Sequence, residues 1–236
     1  MFLCINLDHV ATVRQARQED YPSLIDACIL AEKSGADGIT LHLREDRRHI
    51  QDNDIYEASK IIKGKFTMEM ASTDEMLEIA KRVKPNLLTL VPEKRQELTT
   101  EGGLNLKNNK NKFKDYISEV KKAGLRASFF IEPDFEIIEI AKELGTDCIE
   151  IHTGRYANVK NSDILFKELE KIKKASEFAY GLGLQVNVGH GLNKDNVAEI
   201  IKIKNLSEFH IGHAVIARAI FVGLEKAISE IKEQLK

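Results

Sequence analysis

Eight short apolar runs recur along the chain with longer stretches of helical period between them, and this rhythm constrains the fold more than any single residue does. Alternating apolar and polar residues over 2–7, 37–43, 65–70, 86–91, 125–131, 147–152, 184–188 and 208–211 predict strands, each followed by a helix. Tyr21-Pro22-Ser23, Ser72-Thr73-Asp74-Glu75 and Pro133-Asp134 read as helix starts, and Gly35, Gly124, Gly145 and Gly183 as residues just past helix ends. Repeats of roughly 20 to 40 residues, with no Pro- or Ser-rich linker, argue for one domain over 1–236. Eight such units are the count of a (β/α)8 TIM barrel. An open doubly wound sheet would usually bring a GxGxxG turn after strand one, and Asp8-His9-Val10-Ala11-Thr12 is not one.

Composition narrows the partners. The chain has 236 residues, 43% of them hydrophobic, which is enough for a substantial core. Its 35 basic and 37 acidic residues leave a net charge of −2, which gives no reason to invoke nucleic acid or an anionic membrane. Cys4, Cys28 and Cys148 lie far apart in apolar runs, so neither a disulfide framework nor a paired-Cys metal site is expected, and a reducing cytoplasm fits best. The opening MFLCINLDHV puts Asn and Asp where a signal peptide would continue its apolar core, and no apolar run reaches the ~18 residues of a membrane span. Neither export nor membrane insertion is expected.

In a barrel the outward face of each strand packs on helices, while the inward face turns polar only where it meets solvent or ligand. Strand one sends Leu3, Ile5 and Leu7 outward and Cys4, Asn6 and Asp8 inward. Strand three sends Phe66, Met68 and Met70 outward and Lys65, Thr67 and Glu69 inward. Glu150 and His152, Gln185 and Asn187, and His210 take the inward positions of the last three strands. The inward polar groups are therefore expected to gather at the C-terminal rim, where barrels build their sites. All seven histidines, His9, His42, His49, His152, His190, His210 and His213, fall at strand ends or just beyond. His152 and His210 read as hydrogen-bonded core residues; the set as a whole reads as a site.

Gly189-His190-Gly191-Leu192-Asn193 and Ile211-Gly212-His213-Ala214 are short glycine-bearing turns entering helices, which suits backbone N–H binding of phosphate. Tight turns alone would also explain either loop. Arg14 and Arg17 follow strand one, Arg44, Arg47 and Arg48 strand two, and Lys94 and Arg95 strand four. About half of these bases are expected to pair with acidic neighbours such as Glu45, Asp46, Glu93 and Glu97 rather than with a ligand. The stretch Lys107 to Lys112 reads as a solvated loop.

Absences limit the chemistry. Lys65 sits at the wrong end of strand three for a Schiff base, and no HxH, HExxH or paired-Cys spacing marks a metal site. A zinc or iron site built from His42, His152 and His210 is conceivable but lacks any recognised spacing. What remains is acid–base chemistry by Glu69, His42 and His190 on a phosphorylated small molecule.

NLDHVATVRQAR, DGITLHLREDRRHIQD, MEMA, LVPEKRQELTTEGG, IEIHTGRYA, VNVGHGLN and HIGHAVIARA together resemble the signature segments of the pyridoxine 5′-phosphate synthase family, across nearly the whole chain. The resemblance implies condensation of 3-amino-2-oxopropyl phosphate with 1-deoxy-D-xylulose 5-phosphate, with no metal and no organic cofactor, in octamers of barrels. It implies that Asn6, Arg17, Gly191, Gly212 and His213 hold the aminoketone or product phosphate, and that Asp8, His9, Arg44, His49 and Thr99 hold the sugar phosphate. Glu69 and His42 would be proton acceptors, His190 a proton donor, and Glu150 would stabilise developing positive charge. Two rival readings are a metal-assisted hydrolase or other sugar-phosphate isomerase or lyase, and a non-catalytic barrel that binds a phosphorylated vitamer.

Overall fold

The computed structural model describes residues 1–93 and 102–236. In chain order the elements are β1 (Phe2–Asn6), α1 (Asp8–Arg17), α2 (Leu24–Lys33), β2 (Gly38–Leu43), α3 (Asp52–Ile61), β3 (Lys65–Met70), α4 (Asp74–Val83) and β4 (Leu87–Leu90). A 3-10 turn at Lys107–Asn109 leads into α5 (Lys110–Lys122), followed by β5 (Ala127–Ile131), α6 (Phe135–Glu143), β6 (Cys148–His152), α7 (Gly154–Asn158) and α8 (Ser162–Gly181). The last elements are β7 (Gln185–Gly189), α9 (Val197–Ile201), β8 (Leu206–Ile211), α10 (His213–Val222) and α11 (Leu224–Lys232). The strands pair in parallel from β1 to β8, and β8 returns to β1 to close the barrel.

Local signals account for the boundaries. The side chains of Ser23, Thr73 and Asp134 accept the N–H groups of Asp26, Met76 and Ile137, so each caps its helix at the expected place. Gly35, Gly124, Gly145 and Gly183 take positive φ two residues past the ends of α2, α5, α6 and α8. The stretch 107–112 departs from the expected loop: it holds the 3-10 turn and the first turn of α5, whose buried Phe113, Tyr116, Ile117 and Val120 follow at helical spacing. The apolar face further along, not the polar residues at its start, decides that this segment is helical.

The two faces of the strands separate as the alternation predicts. Leu3, Ile5, Ile39, Leu41, Met68, Met70, Ile149, Ile151, Val186 and Val188 are all fully buried between sheet and helices. Each such side chain contributes ~1.5–3 kcal/mol by leaving water. The lumen differs from expectation in one respect: its polar residues are not confined to the C-terminal rim. At the opposite end Lys65 pairs with Glu208, Gln185 donates to Glu208 (3.1 Å) and to Asn187 (3.0 Å), and Cys4 lies against Glu208. Higher up, His210 meets Thr40 (3.0 Å) and Asn187 (3.4 Å). The members of this polar group satisfy one another, so their burial penalty is largely offset, whereas the hydroxyls of Thr67, Thr89 and Ser128 elsewhere in the lumen have no hydrogen-bond partner among the described residues. Burial alone would raise the Glu208 carboxyl, but His210 and Lys65 hold it down at about 2. Lys65 is thus a structural cation, as its position on β3 implied.

Candidate active site

The C-terminal end of β1 begins the site. Asn6 and Asp8 point the same way across the turn into α1, where the Asn6 amide donates to Asp8 (2.8 Å) and the Asp8 N–H donates to Asn6 (2.9 Å). The other oxygen of Asp8 accepts the backbone N–H of His42 at 2.8 Å, tying β1 to β2 at the rim. His9 sits in the first turn of α1, its ring edge-on to His213 with centroids 4.9 Å apart. Burial lowers the His9 pKa, and the neighbouring His213 lowers it further.

His42 and Glu69 occupy paired positions on β2 and β3. Because Met68 and Met70 are fully buried in the outer layer, Glu69 between them must face the barrel mouth. Its Oε2 lies 3.8 Å from His42 Nδ1, and both side chains are more than nine-tenths buried. Burial pushes the Glu69 carboxyl well above the ordinary range, and the charges of Glu150 and Asp8 act in the same direction. On the other edge of the His42 ring, Nε2 is 2.9 Å from Glu93, a residue that follows β4. Glu93 was expected only as a partner for nearby bases.

Across the barrel, Glu150 on β6 has one carboxylate oxygen without a hydrogen-bond partner among the described residues; its closest cation is His210 at 3.8 Å. Burial raises the Glu150 carboxyl, partly countered by His210. A methyl group on Gly189 would come within 2.1 Å of Glu150, so the glycine on β7 makes room for this carboxylate. The chain then turns sharply: His190 and Gly191 both take left-handed conformations, with φ of 74° and 75°. That conformation is unusual for a histidine and strained by ~1 kcal/mol or more. The Thr153 hydroxyl holds the turn, lying 2.7 Å from the Gly189 carbonyl and 2.6 Å from that of His190. The His190 ring is thereby set against Phe130 (4.8 Å between centroids) and edge-on to His152 (5.5 Å). Burial beside other histidines pushes the His190 pKa down to about 3.

His152, expected as a core residue, pairs with Glu132 at 2.7 Å, and Glu132 also accepts the Gly103 N–H. His210, likewise expected in the core, is fully enclosed; burial opposes its charge, but Glu150 and Glu208 hold its pKa above the ordinary value. Gly212 caps α10 and His213 is its first residue, so the N–H groups of the first turn open toward the rim at a helix N-terminus. Gly212 also packs closely on Asn6, joining the two ends of the sheet's closure.

More of the bases pair with acidic side chains than the expected half: Arg14, Arg17, Arg44, Arg47 and Arg48 all do. Arg14 grips Asp54 with two bonds of 2.7 and 2.6 Å and donates to the His49 carbonyl (3.2 Å). Arg47 holds Asp52 at 2.9 and 3.0 Å and pairs with Glu75, while Arg48 pairs with Asp46. Arg44 is buried at the rim with Nε 3.4 Å from Asp46. His49 packs 6.1 Å from His42, and its Nδ1 accepts the Ile50 N–H; burial lowers its pKa. Arg17 is not brought to this cluster. It ends α1, roughly 13 Å along the helix axis from Asp8, with its side chain 78% exposed beside Glu19. Thr99, Lys94 and Arg95 lie outside the described residues.

Two sets at the rim bring possible metal ligands within 4.8 Å of one another: Asp8 with His42 and Glu69, and Glu69 with Glu150 and His210. The combination of His42, His152 and His210 is not among the sets found in the described residues. Sequence reading missed Glu93, Glu132 and Thr153. The first two share one signal, a glutamate flanked by proline at a strand's C-terminal end, in Val91-Pro92-Glu93 and Ile131-Glu132-Pro133; Thr153 carries none.

A closed parallel barrel whose C-terminal rim joins buried carboxylates, neutral histidines and a helix N-terminus defines an acid–base barrel enzyme acting on an anionic small molecule. The chain belongs to the family described as Pyridoxal phosphate biosynthesis protein PdxJ, which it matches over residues 3–236. It is 51% identical over 230 residues to Pyridoxine 5'-phosphate synthase of Prochlorococcus marinus (strain MIT 9515), covering 98% of this chain and 96% of the relative. It is 50% identical over 236 residues to the protein of that name from Thermodesulfovibrio yellowstonii, covering 100% of this chain and 97% of the relative. Among solved structures, thiamine phosphate pyrophosphorylase from Pyrococcus furiosus superposes with a TM-score of 0.64 at 16% identity, covering 99% of this chain and 95% of that one. That likeness shows the barrel alone.

Proposed function

We propose that this protein condenses 3-amino-2-oxopropyl phosphate with 1-deoxy-D-xylulose 5-phosphate to give pyridoxine 5′-phosphate, inorganic phosphate and water. The observation that carries the reading is the buried pair of Glu69 and His42, 3.8 Å apart at the rim of a barrel whose family is one of pyridoxal phosphate biosynthesis. Ring closure requires protons to leave carbon and nitrogen and to reach departing oxygens. Glu69, with its raised pKa, is a carboxyl group suited both to taking and to returning a proton, and His42 shares the proton traffic. Glu150 faces the same space with an unpartnered oxygen, suited to a developing cation. The substrate supplies the amine, so no lysine of this chain is needed.

The α10 N-terminus with Gly212 and His213, the His190–Gly191 turn and Asn6 would hold the aminoketone phosphate. Asp8, His9, Arg44 and His49, together with Thr99, would hold the sugar phosphate; Arg17 has no place at the rim of this single chain. His190 would donate a proton once a substrate anion offsets the burial that keeps it neutral. Ile220 and Phe221, 76% and 82% exposed at the end of α10, favour association with further copies, in keeping with an octamer. The reading places the enzyme in a reducing cytoplasm.

Incubation of the purified protein with both substrates tests the reaction, following pyridoxine 5′-phosphate by fluorescence and free phosphate by colorimetry. Both products should appear together and depend on both substrates. Phosphate release without the ring product would overturn the assignment.

A further inference from the structure

The ring of His42 lies between two carboxylates of different character. Glu69 stands 3.8 Å from Nδ1, has a raised pKa and faces the reacting space. Glu93 stands 2.9 Å from Nε2, and its second oxygen accepts the Glu45 N–H at 3.0 Å. Held at both oxygens and 5% exposed along its side chain, Glu93 cannot swing away from the ring. Burial alone would raise its carboxyl, but the bond to His42, then the Glu45 N–H and the charge of Arg44, bring it below the ordinary value. An ionised carboxylate only accepts hydrogen bonds. The nitrogen facing it must therefore carry a hydrogen, and in a neutral imidazole the other nitrogen must then be bare.

We propose that Glu93 is a positioning residue for the reaction: it fixes His42 as the Nε2–H tautomer and so presents the basic Nδ1 to Glu69 and to the substrate. The proposal rests on the reading of His42 as a proton acceptor. Among the described residues, other groups near the ring do not set its tautomer. Asp8 takes the backbone N–H of His42 and not the ring, and the His49 ring is 6.1 Å away. Glu69 keeps its own proton more readily than Glu93 does, so it can both give to and take from Nδ1. A buried carboxylate that orients a catalytic histidine is worth up to ~10⁴ in turnover elsewhere, through the tautomer it imposes.

Glu93→Gln separates this role from a purely structural one. The amide oxygen can still take the Glu45 N–H, so the loops after β2 and β4 stay tied, but the amide nitrogen then faces Nε2 and favours a hydrogen on Nδ1. The expected result is a kcat lower by ~10²–10³, with KM for both substrates within about threefold of wild type. Glu93→Asp keeps an acceptor-only group and should recover at least about tenfold over the glutamine variant. Independently of turnover, magic-angle-spinning NMR of 15N-histidine-labelled protein at neutral pH reports which ring nitrogen is protonated, with His42 assigned through the His42→Asn spectrum. Wild type should show Nε2–H and Glu93→Gln should show Nδ1–H. Near-native kcat in Glu93→Gln, or Nδ1–H at His42 in wild type, would overturn the proposal. A wild-type protein that makes no pyridoxine 5′-phosphate yet shows the tautomer switch would instead sink the functional reading, and with it the role in the reaction, and leave only the tautomer assignment standing.

Discussion

Glu69 and His42 face each other across adjacent strands with 3.8 Å between carboxylate and imidazole, and neither side chain is more than 7% exposed. A carboxyl so enclosed keeps its proton at a pH where the unfolded chain, titrating near 4.5, has lost its own. Because the folded pKa is the higher one, the stability linked to this group is complete below the unfolded value and is lost as pH rises through the folded value. Glu69→Gln removes that dependence. The variant should melt above wild type, by a margin that widens as pH rises above the ordinary carboxylate value of 4.5, while kcat falls by ~10²–10⁴ with binding nearly preserved. Gain of stability with loss of turnover marks a functional carboxylate. A variant that melts early and still turns over at near-native rate would make Glu69 a structural partner instead.

The rim is rich in histidines that burial keeps neutral: His190 is pushed down to about 3, and His9 and His49 also lie below the ordinary value. An incoming phosphate favours the imidazolium form and raises these values, so binding should take up protons as pH falls below the ordinary histidine value of 6.5. Calorimetric titration with inorganic phosphate in buffers of different ionisation heat measures the number. Sulfate, which has no proton to lose in this range, is the control for the ligand's own titration. Proton release with sulfate would show that the histidines do not meet the anion.

The strands were legible in the sequence because a period of two survives wherever one face packs on helices, as in Phe66-Thr67-Met68-Glu69-Met70. The rim residues were legible for the same reason: His42, Glu69 and Glu150 interrupt buried strands at their C-terminal ends. Glu208 was not: it opens the expected strand 208–211 on the same face as His210, but nothing in the sequence points to its partners Lys65 and Gln185, which other strands bring in. Glu93 and Glu132 carried only the adjacent proline as a signal, with no periodicity to single them out. Their significance lies in pairings with His42 and His152, which are 51 and 20 residues away in sequence.

Three rim glycines should respond differently to alanine. Gly191 has φ of 75°, and a methyl group there would lie 2.5 Å from the Ala157 Cβ, so both backbone and packing object. Gly191→Ala should lose about 2 kcal/mol or more of stability, seen in denaturant melts. At Gly189 the methyl would meet Glu150 at 2.1 Å, so that carboxylate must move and turnover should fall. Gly212 has an ordinary φ of −123°, but its methyl would meet Asn6 at 2.8 Å. Gly212→Ala should therefore displace Asn6 and weaken phosphate binding about tenfold while lowering stability by only about 1 kcal/mol. Unchanged phosphate affinity in Gly212→Ala would remove Asn6 and the α10 N-terminus from the anion site.

Arg14 connects the barrel to the sugar-phosphate loop without touching the proposed ligand. Its guanidinium holds both oxygens of Asp54 at 2.7 and 2.6 Å and the His49 carbonyl at 3.2 Å, and each charged side chain is 11% exposed. Asp54 also accepts the Gln51 N–H (2.8 Å) that starts α3, so its carboxylate ties Arg14 to the start of that helix. Arg14→Met leaves that carboxylate buried with one remaining N–H donor and should cost about 3–5 kcal/mol. Arg14→Met combined with Asp54→Leu removes both charges and should recover most of the loss, because an apolar pair of similar volume avoids the desolvation penalty. The His49 carbonyl loses its Arg14 donor in both variants and keeps only the Gln51 amide (3.0 Å), so KM for the sugar phosphate should remain raised in the double variant while kcat, set by Glu69 and His42, returns toward wild type. Denaturant melts and steady-state kinetics on the two variants check both halves. If the single change costs under about 1 kcal/mol, the pair is only a surface bridge, and the position of His49 must be fixed by the Gln51 amide on its carbonyl and by its own Nδ1 bond to the Ile50 N–H.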